Sequence, residues 1–450
     1  MQIPPTPPDF RTALNALLKK GPEHFGHFMS RGIKPEIDGS YLHWDQLRRH
    51  PPPDGLTHEE WWAGVSFARS VLKIELPLID NTGRKFHFAR TDGLLLALHQ
   101  IDRDMGGRLE VADPQLANKD VRDRYIIRSL MEEAITSSQL EGASTTRRVA
   151  KDMLLQGRPP RTKDERMIFN NFRAMELLRG KVREPLSAAF LLELHEVITE
   201  GTLEEPGDAG RLRRPDEPIT VLDISNGQVL HSPPDANELP ARIDALCAFA
   251  NENAGHAFIH PVVRAIVLHF MLAYDHPFVD GNGRTARALF YWSMIRQGYW
   301  IAEFLSISRI IQRAPAQYGR AFLYTETDGS DVTYFLLHQL EVIRRATQDL
   351  FEYLDRKSKE LQEVEPLLRS GENINHRQRA LLAHALRHPG AQYAIEPYRR
   401  EHGVVYQTAR QDLLDLEKAG YLRKRQVGRA FYFQAVPDLA RLLMGNGRQD

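Results

Sequence analysis

The sequence predicts a mainly α-helical protein with one β-hairpin in its core and a C-terminal module of a different kind. Three observations lead there. Between residues 121 and 350 apolar residues recur at helical spacing, as in Ile126, Ile127, Leu130, Met131 and Ala134, and again in Leu191, Leu192, Leu194 and Ile198. Within that stretch two β-prone runs, Pro218–Leu222 and Val229–His231, flank Ser225-Asn226-Gly227-Gln228, which has the composition of a hairpin turn. From residue 376 onward three helical patterns precede two alternating runs around Gly428, the order of a winged helix-turn-helix.

Residues 1–115 read as a helical N-terminal region rich in aromatics and proline. Short helices are expected there, with a small hairpin around Asn81-Thr82-Gly83. Trp44, Trp61 and Trp62 are expected to pack in a core. Residues 116–350 hold the helical bundle. Val263–Ala273 is apolar on nearly every side, as at the centre of a bundle. The next helix is expected from Arg284 to Gln297, ending at Gly298. Polar residues 351–375 read as a linker. In residues 376–450 helices are expected at 376–387, about 394–402 and Tyr406–Ala419, with strands from Tyr421 to Phe433.

Formal charge is zero, with 59 basic and 59 acidic residues, so no whole-chain field steers the protein to nucleic acid or an anionic membrane. The single cysteine, Cys247, excludes an intramolecular disulfide and a cysteine-based zinc site within one chain, and fits a cytoplasmic protein. The start, MQIPPTPPDF, has no charged segment leading into an apolar core, and no apolar run is long enough for a membrane span. His256, His260 and His269 lack a companion ligand spaced to complete a metal site. His260-Pro261 is instead expected to start the central helix, and His269 to be a satisfied polar group inside the bundle.

The chemistry concentrates in His276-Pro277-Phe278-Val279-Asp280-Gly281-Asn282-Gly283-Arg284-Thr285-Ala286-Arg287. A buried helix ends near Asp275 and another begins near Arg284, so Asp-Gly-Asn-Gly must turn sharply between them. Backbone N–H groups and the dipole of the second helix make that turn an anion site. Arg284 and Arg287, three apart on the helix, add two forked donors, which suits a polyphosphate. Asp280 offers a carboxylate for a partly hydrated magnesium ion. His276 offers an imidazole, which titrates at about 6.5 and accepts a proton at neutral pH. A base, a metal carboxylate and a polyphosphate cradle together specify attack by a hydroxyl on phosphorus.

These residues resemble the signature of the Fic family, H-x-F-x-[D/E]-G-N-G-R-x-x-R, at every specified position, and the similarity extends over about residues 120–340. The resemblance implies an all-α core, ATP with Mg2+, and AMP transfer to a Ser, Thr or Tyr hydroxyl of target proteins, this chain itself among them. It implies His276 as the base, Asp280 as magnesium ligand, Gly281, Asn282 and Gly283 at the α- and β-phosphates, Arg284 at the β- and Arg287 at the γ-phosphate. Residues 218–231 resemble the family's flap, which aligns a target segment by strand addition. Doc-type kinases carry a lysine and altered glycines in this loop; this chain does not, which favours AMP transfer over phosphoryl transfer.

Ser137-Ser138-Gln139-Leu140-Glu141-Gly142 resembles the family's inhibitory pattern, [S/T]-x-x-x-E-[G/N]. The resemblance implies that Glu141 occupies Arg287, that Ser137 helps hold the helix, and that Glu141 also serves removal of AMP. In the C-terminal module Tyr406, Gln407 and Arg410 would face a DNA groove while Arg423, Lys424, Arg425 and Arg429 straddle phosphates. Protein docking or a homodimer is the alternative use of that surface. A nucleotide-sensing, DNA-binding transcriptional regulator is the competing reading of the whole chain.

Overall fold

The computed structural model describes residues 1–106, 119–223, 226–252, 258–368, 374–427 and 430–445. The N-terminal region runs through α1 (Phe10–Lys19), α2 (Pro22–Ser30), α3 (Trp44–Leu47) and α4 (His58–Val71) to β1 (Lys73–Ile79), β2 (Lys85–Ala89) and α5 (Asp92–Met105). Helix starts are written in side chains. Asp9, Thr57 and Thr91 each accept a backbone N–H of the first turn, one of the donors a helix cannot satisfy internally. β1 and β2 form the expected hairpin, Lys73 opposite Ala89 and Ile79 opposite Lys85. The register slips between Glu75 and Ile79, where Pro77 has no N–H to give. Trp44, Trp61 and Trp62 bury together with Leu47 and Val65, as packing residues should.

The middle of the chain supplies α6 (Lys119–Leu140), α7 (Arg147–Gln156), α8 (Lys163–Gly180), α9 (Ala188–Thr199), the hairpin β3 (Val221–Leu222) and β4 (Val229–His231), α10 (Leu239–Ala250), α11 (Pro261–Asp275) and α12 (Asn282–Arg296). α13 (Ile307–Arg313), α14 (Pro315–Thr327) and α15 (Thr333–Leu368) follow. β3–β4 is shorter than expected: Val221 pairs with His231 and Leu222 with Val229, and 218–220 stay outside the ladder. Ile224 and Ser225 at its tip lie outside the described residues. α15 continues through 351–368, where a linker was expected. Polar pairs one turn apart, Gln348 with Glu352 (2.9 Å) and Lys359 with Asp355 (2.7 Å), support it as a solvated helix.

The C-terminal residues form α16 (His376–Arg387), β5 (Gln392–Ala394), α17 (Ile395–His402), α18 (Tyr406–Lys418), β6 (Leu422–Val427), β7 (Ala430–Ala435) and α19 (Leu439–Gly445). The strands make one antiparallel sheet in the order β5-β7-β6. β5 and α19 were not expected from the sequence. Leu381, Leu382, Leu413, Leu416 and Phe433 form the core of this part.

The chain divides into two compact units. One comprises Met1–Gly106, Arg173–Ala302 and Ile307–Arg344; the other comprises Gly107–Phe172, Glu303–Ser306 and Arg345–Asp450. In the first, α11 is buried on nearly every face and packs most closely on α12. Phe270 of α11 meets Phe86, Phe322 and Phe335 at ring distances of 5.3, 5.1 and 5.2 Å. Such an interior fixes where α11 ends, and the candidate site begins there. No described helix is long and apolar enough to cross a membrane.

Candidate active site

α11 starts as expected: His260 Nδ1 accepts the Val262 N–H and Pro261 takes the first position, where no N–H is needed. It ends on His276, whose backbone is left-handed (φ 45°, ψ 56°), an arrangement disfavoured for a residue with a Cβ. Three contacts hold it. The His276 N–H donates to Leu272 O (3.1 Å), Arg213 Nε donates to His276 O (2.9 Å), and His276 Nδ1 lies 3.1 Å from Ala273 O. A carbonyl only accepts, so the proton sits on Nδ1 and the basic nitrogen of the ring is Nε2.

The loop then folds onto the bundle. Phe278 is fully buried and stacks on the His195 ring (3.7 Å, 3°). Asn282 clamps the same residue: Phe278 N–H donates to its Oδ1 (3.0 Å) and its Nδ2 donates to Phe278 O (2.8 Å). This clamp brings Asn282 into the helix, so α12 begins two residues before the expected Arg284. Gly281 precedes it with φ 86°. A Cβ there would come within 2.7 Å of Thr199 Cγ2, so the position needs glycine twice over.

Arg284 is fully buried; Nη1 donates to Ile198 O (3.2 Å) and Nη2 lies 3.7 Å from Asp280 Oδ2. Arg287 is also buried on α12. Burial, and then the Arg287 charge, hold the His269 imidazole well below its ordinary range. His269 Nε2 meets Tyr318 OH (2.9 Å), but Nδ1 has no hydrogen-bond partner, so the expected satisfied histidine is satisfied on one side. Asp280 keeps about half of its carboxylate exposed (53%), beside the N-terminus of α12. Among the described residues no group of three His, Cys, Asp or Glu is arranged to hold a metal ion. A metal here would therefore take one carboxylate and a ligand's own oxygens, which is how magnesium binds with nucleotides.

His276, Asp280, Gly281, Asn282, Gly283, Arg284 and Arg287 thus belong to one connection in the first unit. Ser137 and Glu141 belong to the second. Ser137 is buried near the end of α6, and Glu141 stands one residue past that end, its N–H donating to Ser138 O (3.1 Å). Ser138 Oγ donates to Met167 O (3.3 Å) and Asn171 Nδ2 to Ala134 O (3.3 Å), tying the last turn to α8.

Three positioning residues were not read from the sequence. His195 accepts the Gly210 N–H on Nδ1 (3.1 Å) and donates from Nε2 to Asp280 O (2.9 Å). It is therefore a neutral imidazole, and burial lowers its pKa to about 4. Arg213 donates to His276 O and to Pro234 O, joining the loop to the segment after the β3–β4 hairpin. His231, in β4, meets Tyr274 O (2.7 Å) and Glu326 Oε2 (2.8 Å). Burial pulls its pKa down, but the hydrogen bond and charge of Glu326 outweigh that and raise it. Both nitrogens face acceptors, so His231 binds the β3–β4 hairpin to the end of α11 as an imidazolium.

A pH dependence follows. Between about 6.5, the ordinary histidine value, and 4 the unfolded chain binds a proton that folded His195 refuses. His43, lowered by burial to about 3, adds to this; His87 and His269 are lowered too. Stability contributed by these groups is lost as pH falls through that window. Asp275, raised by burial to about 7 despite Arg242, works in the opposite sense, as do Asp328, raised by burial to about 6, and His231. Four histidines against three groups give a first unit that loosens on acidification from pH 6.5 to 4.5. Denaturant unfolding at these pH values, read by tryptophan fluorescence, is the measurement; a midpoint that stays level or rises contradicts it.

Comparison with known proteins finds similarity over this stretch. Residues 185–294, from just before α9 to within α12, match the Fic/DOC family. The protein adenylyltransferase Fic of Drosophila grimshawi is 31% identical over 128 residues, 28% of this chain and 24% of that protein. The protein adenylyltransferase fic-1 of Caenorhabditis elegans is 25% identical over 183 residues, 40% of this chain and 33% of that protein. The chain therefore spans about a quarter to a third of the length of these curated relatives. Among solved structures, a Fic family protein from Desulfovibrio desulfuricans aligns with a TM-score of 0.50 at 19% identity, covering 78% of this chain and 98% of the other. At that identity the likeness is one of fold.

Proposed function

From the Fic/DOC domain at residues 185–294, we propose that this chain is a protein adenylyltransferase, moving AMP from ATP to a Ser, Thr or Tyr hydroxyl of target proteins, itself included. The observation that carries the reading is the His276 tautomer: Nδ1 is spent on Ala273 O, so Nε2 is the basic atom at the mouth of a helix N-terminal anion cradle. In the proposed reaction the target hydroxyl oxygen attacks the α-phosphorus as His276 Nε2 takes its proton. The bond from the α-phosphorus to the bridging oxygen breaks, and pyrophosphate leaves. The α12 N-terminus with Gly281, Asn282 and Gly283 cradles the α- and β-phosphates, and Arg284 and Arg287 neutralise the β- and γ-phosphates. Asp280 would hold magnesium, which supplies charge neutralisation on the departing phosphates. Strand addition to β3–β4 would align the target segment.

Ser137 and Glu141 are read as a built-in restraint on the strength of their motif: Glu141 competes with the γ-phosphate for Arg287, and in a second role activates water to remove AMP. ATP labelled at the α- or the γ-phosphate tests the activity. Label on protein from α-labelled ATP alone is the expected result; label from γ-labelled ATP would make the enzyme a kinase.

A second reading, a nucleotide-sensing DNA-binding regulator, is favoured by one observation. Tyr406, Gln407 and Arg410 of α18 and Arg423, Lys424 and Arg425 of β6 are all exposed, the disposition of a winged helix offered to a duplex. Arg429 lies outside the described residues. Binding to duplex DNA that weakens steeply with salt supports this use of the module; salt-insensitive or absent binding assigns the surface to protein contacts. A basic Nε2 at the cradle has no part in sensing and favours the enzyme.

A further inference from the structure

The second unit contains a cavity of about 190 Å3 that the proposed reaction does not use. Its wall comes from Arg128 on α6, Lys151 on α7, Leu381 and His384 on α16, and Glu401 and His402 on α17. The charges in it do not balance. Glu401 is committed to Arg128 in an ion pair, and Arg128 Nη1 also donates to Tyr353 OH (2.9 Å). No carboxylate among the described residues pairs with Lys151, which is exposed, and partial desolvation and then the neighbouring Arg128 charge lower its pKa. Two cations and one carboxylate around a partly closed space call for an anion. At about 30 Å3 per water the cavity has the room of roughly six waters. That admits a phosphate monoester group or a small dicarboxylate.

The position of the cavity matters as much as its charge. Arg128 lies on the helix that ends one residue before Glu141. α17, on the other wall, is tied to α6 by Glu401 and also to α7: Arg400 Nη1 donates to Leu154 O (3.3 Å), an end carbonyl of α7. It crosses Gly157, where any side chain would collide with its guanidinium. An anion between Arg128 and Lys151 therefore sits in the joint between the helix leading to Glu141 and the C-terminal module.

We infer that this cavity is a binding site for a small dianionic phosphate or carboxylate, held by Lys151 and Arg128, which sets α6 against α17. Its effect on the enzyme rests on the reading of Glu141 as a restraint. The existence of the site does not.

The test uses the full chain and two probes, inorganic phosphate and succinate, titrated at constant ionic strength while the thermal midpoint is followed. A saturable rise in wild type and in Lys151→Arg, at least tenfold weaker in affinity in Lys151→Met, is the expected result. The phosphate cradle of the first unit is the same in all three proteins and cancels from the comparison. Without anion, Lys151→Met should be no less stable than wild type, because a like charge beside Arg128 has gone. Superimposable titrations for wild type and Lys151→Met, or a Lys151→Met protein that is less stable unliganded, overturn the site. Where binding holds, the anion should change AMP transfer by wild type and leave Glu141→Gly unaffected. Binding with unchanged transfer overturns the coupling alone. Binding with no transfer under any condition overturns the proposed activity and leaves the site standing.

Discussion

His276→Ala is expected to lower AMP transfer by about 10²–10⁴-fold, the range of a general base, with ATP binding retained. The hydroxyl loses the acceptor of its proton, while Gly281, Asn282, Gly283 and Arg284 stay where they are. A structural control is needed because His276 is left-handed, a conformation that costs alanine about 1–2 kcal/mol. His276→Asn removes the base while tolerating that backbone far better. Both variants should be inactive, and the asparagine form should keep a thermal midpoint close to wild type. Transfer by His276→Asn within a few-fold of wild type would remove His276 from the chemistry.

Glu141→Gly should act in the other direction. A charge-assisted pair that competes with a γ-phosphate is worth a coupling of about 1–3 kcal/mol, so transfer should rise by about 5- to 150-fold. Glu141 lies one residue outside α6, which spares the substitution the usual cost of glycine inside a helix. Glu141→Gln keeps the shape and removes the charge, and should raise transfer as well. Labelled ATP with equal enzyme concentrations measures all three proteins; equal incorporation in wild type and Glu141→Gly would sink the restraint. Loss of AMP removal from pre-modified protein in the same variants would assign Glu141 its second role.

The site was legible where its chemistry is contiguous. His276 to Arg287 spans twelve residues, so turn, helix start and charged side chains could be read together from spacing. Its supports were not, because they arrive from far along the chain. His195 reaches Asp280 across 85 residues, Arg213 reaches His276 across 63, and His231 reaches Tyr274 across 43. Only the cluster Arg211-Leu212-Arg213-Arg214 before the hairpin offered a signal, and its charge reads equally as surface. The fold shows the same division. The helices around the apolar Val263–Ala273 run were plain, and both hairpins carried turn residues. β5, three residues long, has too little pattern to register, and the charged stretch after 351 looked like a linker because a solvated helix has little apolar stripe to show.

The Asn282 clamp has a consequence for the chemical lifetime of the protein. An asparagine before glycine is the dipeptide most prone to deamidation, which begins when the following backbone nitrogen attacks the side-chain carbonyl carbon. Asn282-Gly283 is such a pair, yet both ends of its amide are held by Phe278 and the residue is 2% exposed. The attack requires the amide to swing out of that clamp. Asn226-Gly227 at the β3–β4 hairpin is exposed, and its Oδ1 accepts the Gln228 N–H (3.0 Å). Of these two pairs, ageing should therefore write a negative charge on the β3–β4 hairpin first and leave the turn before α12 intact.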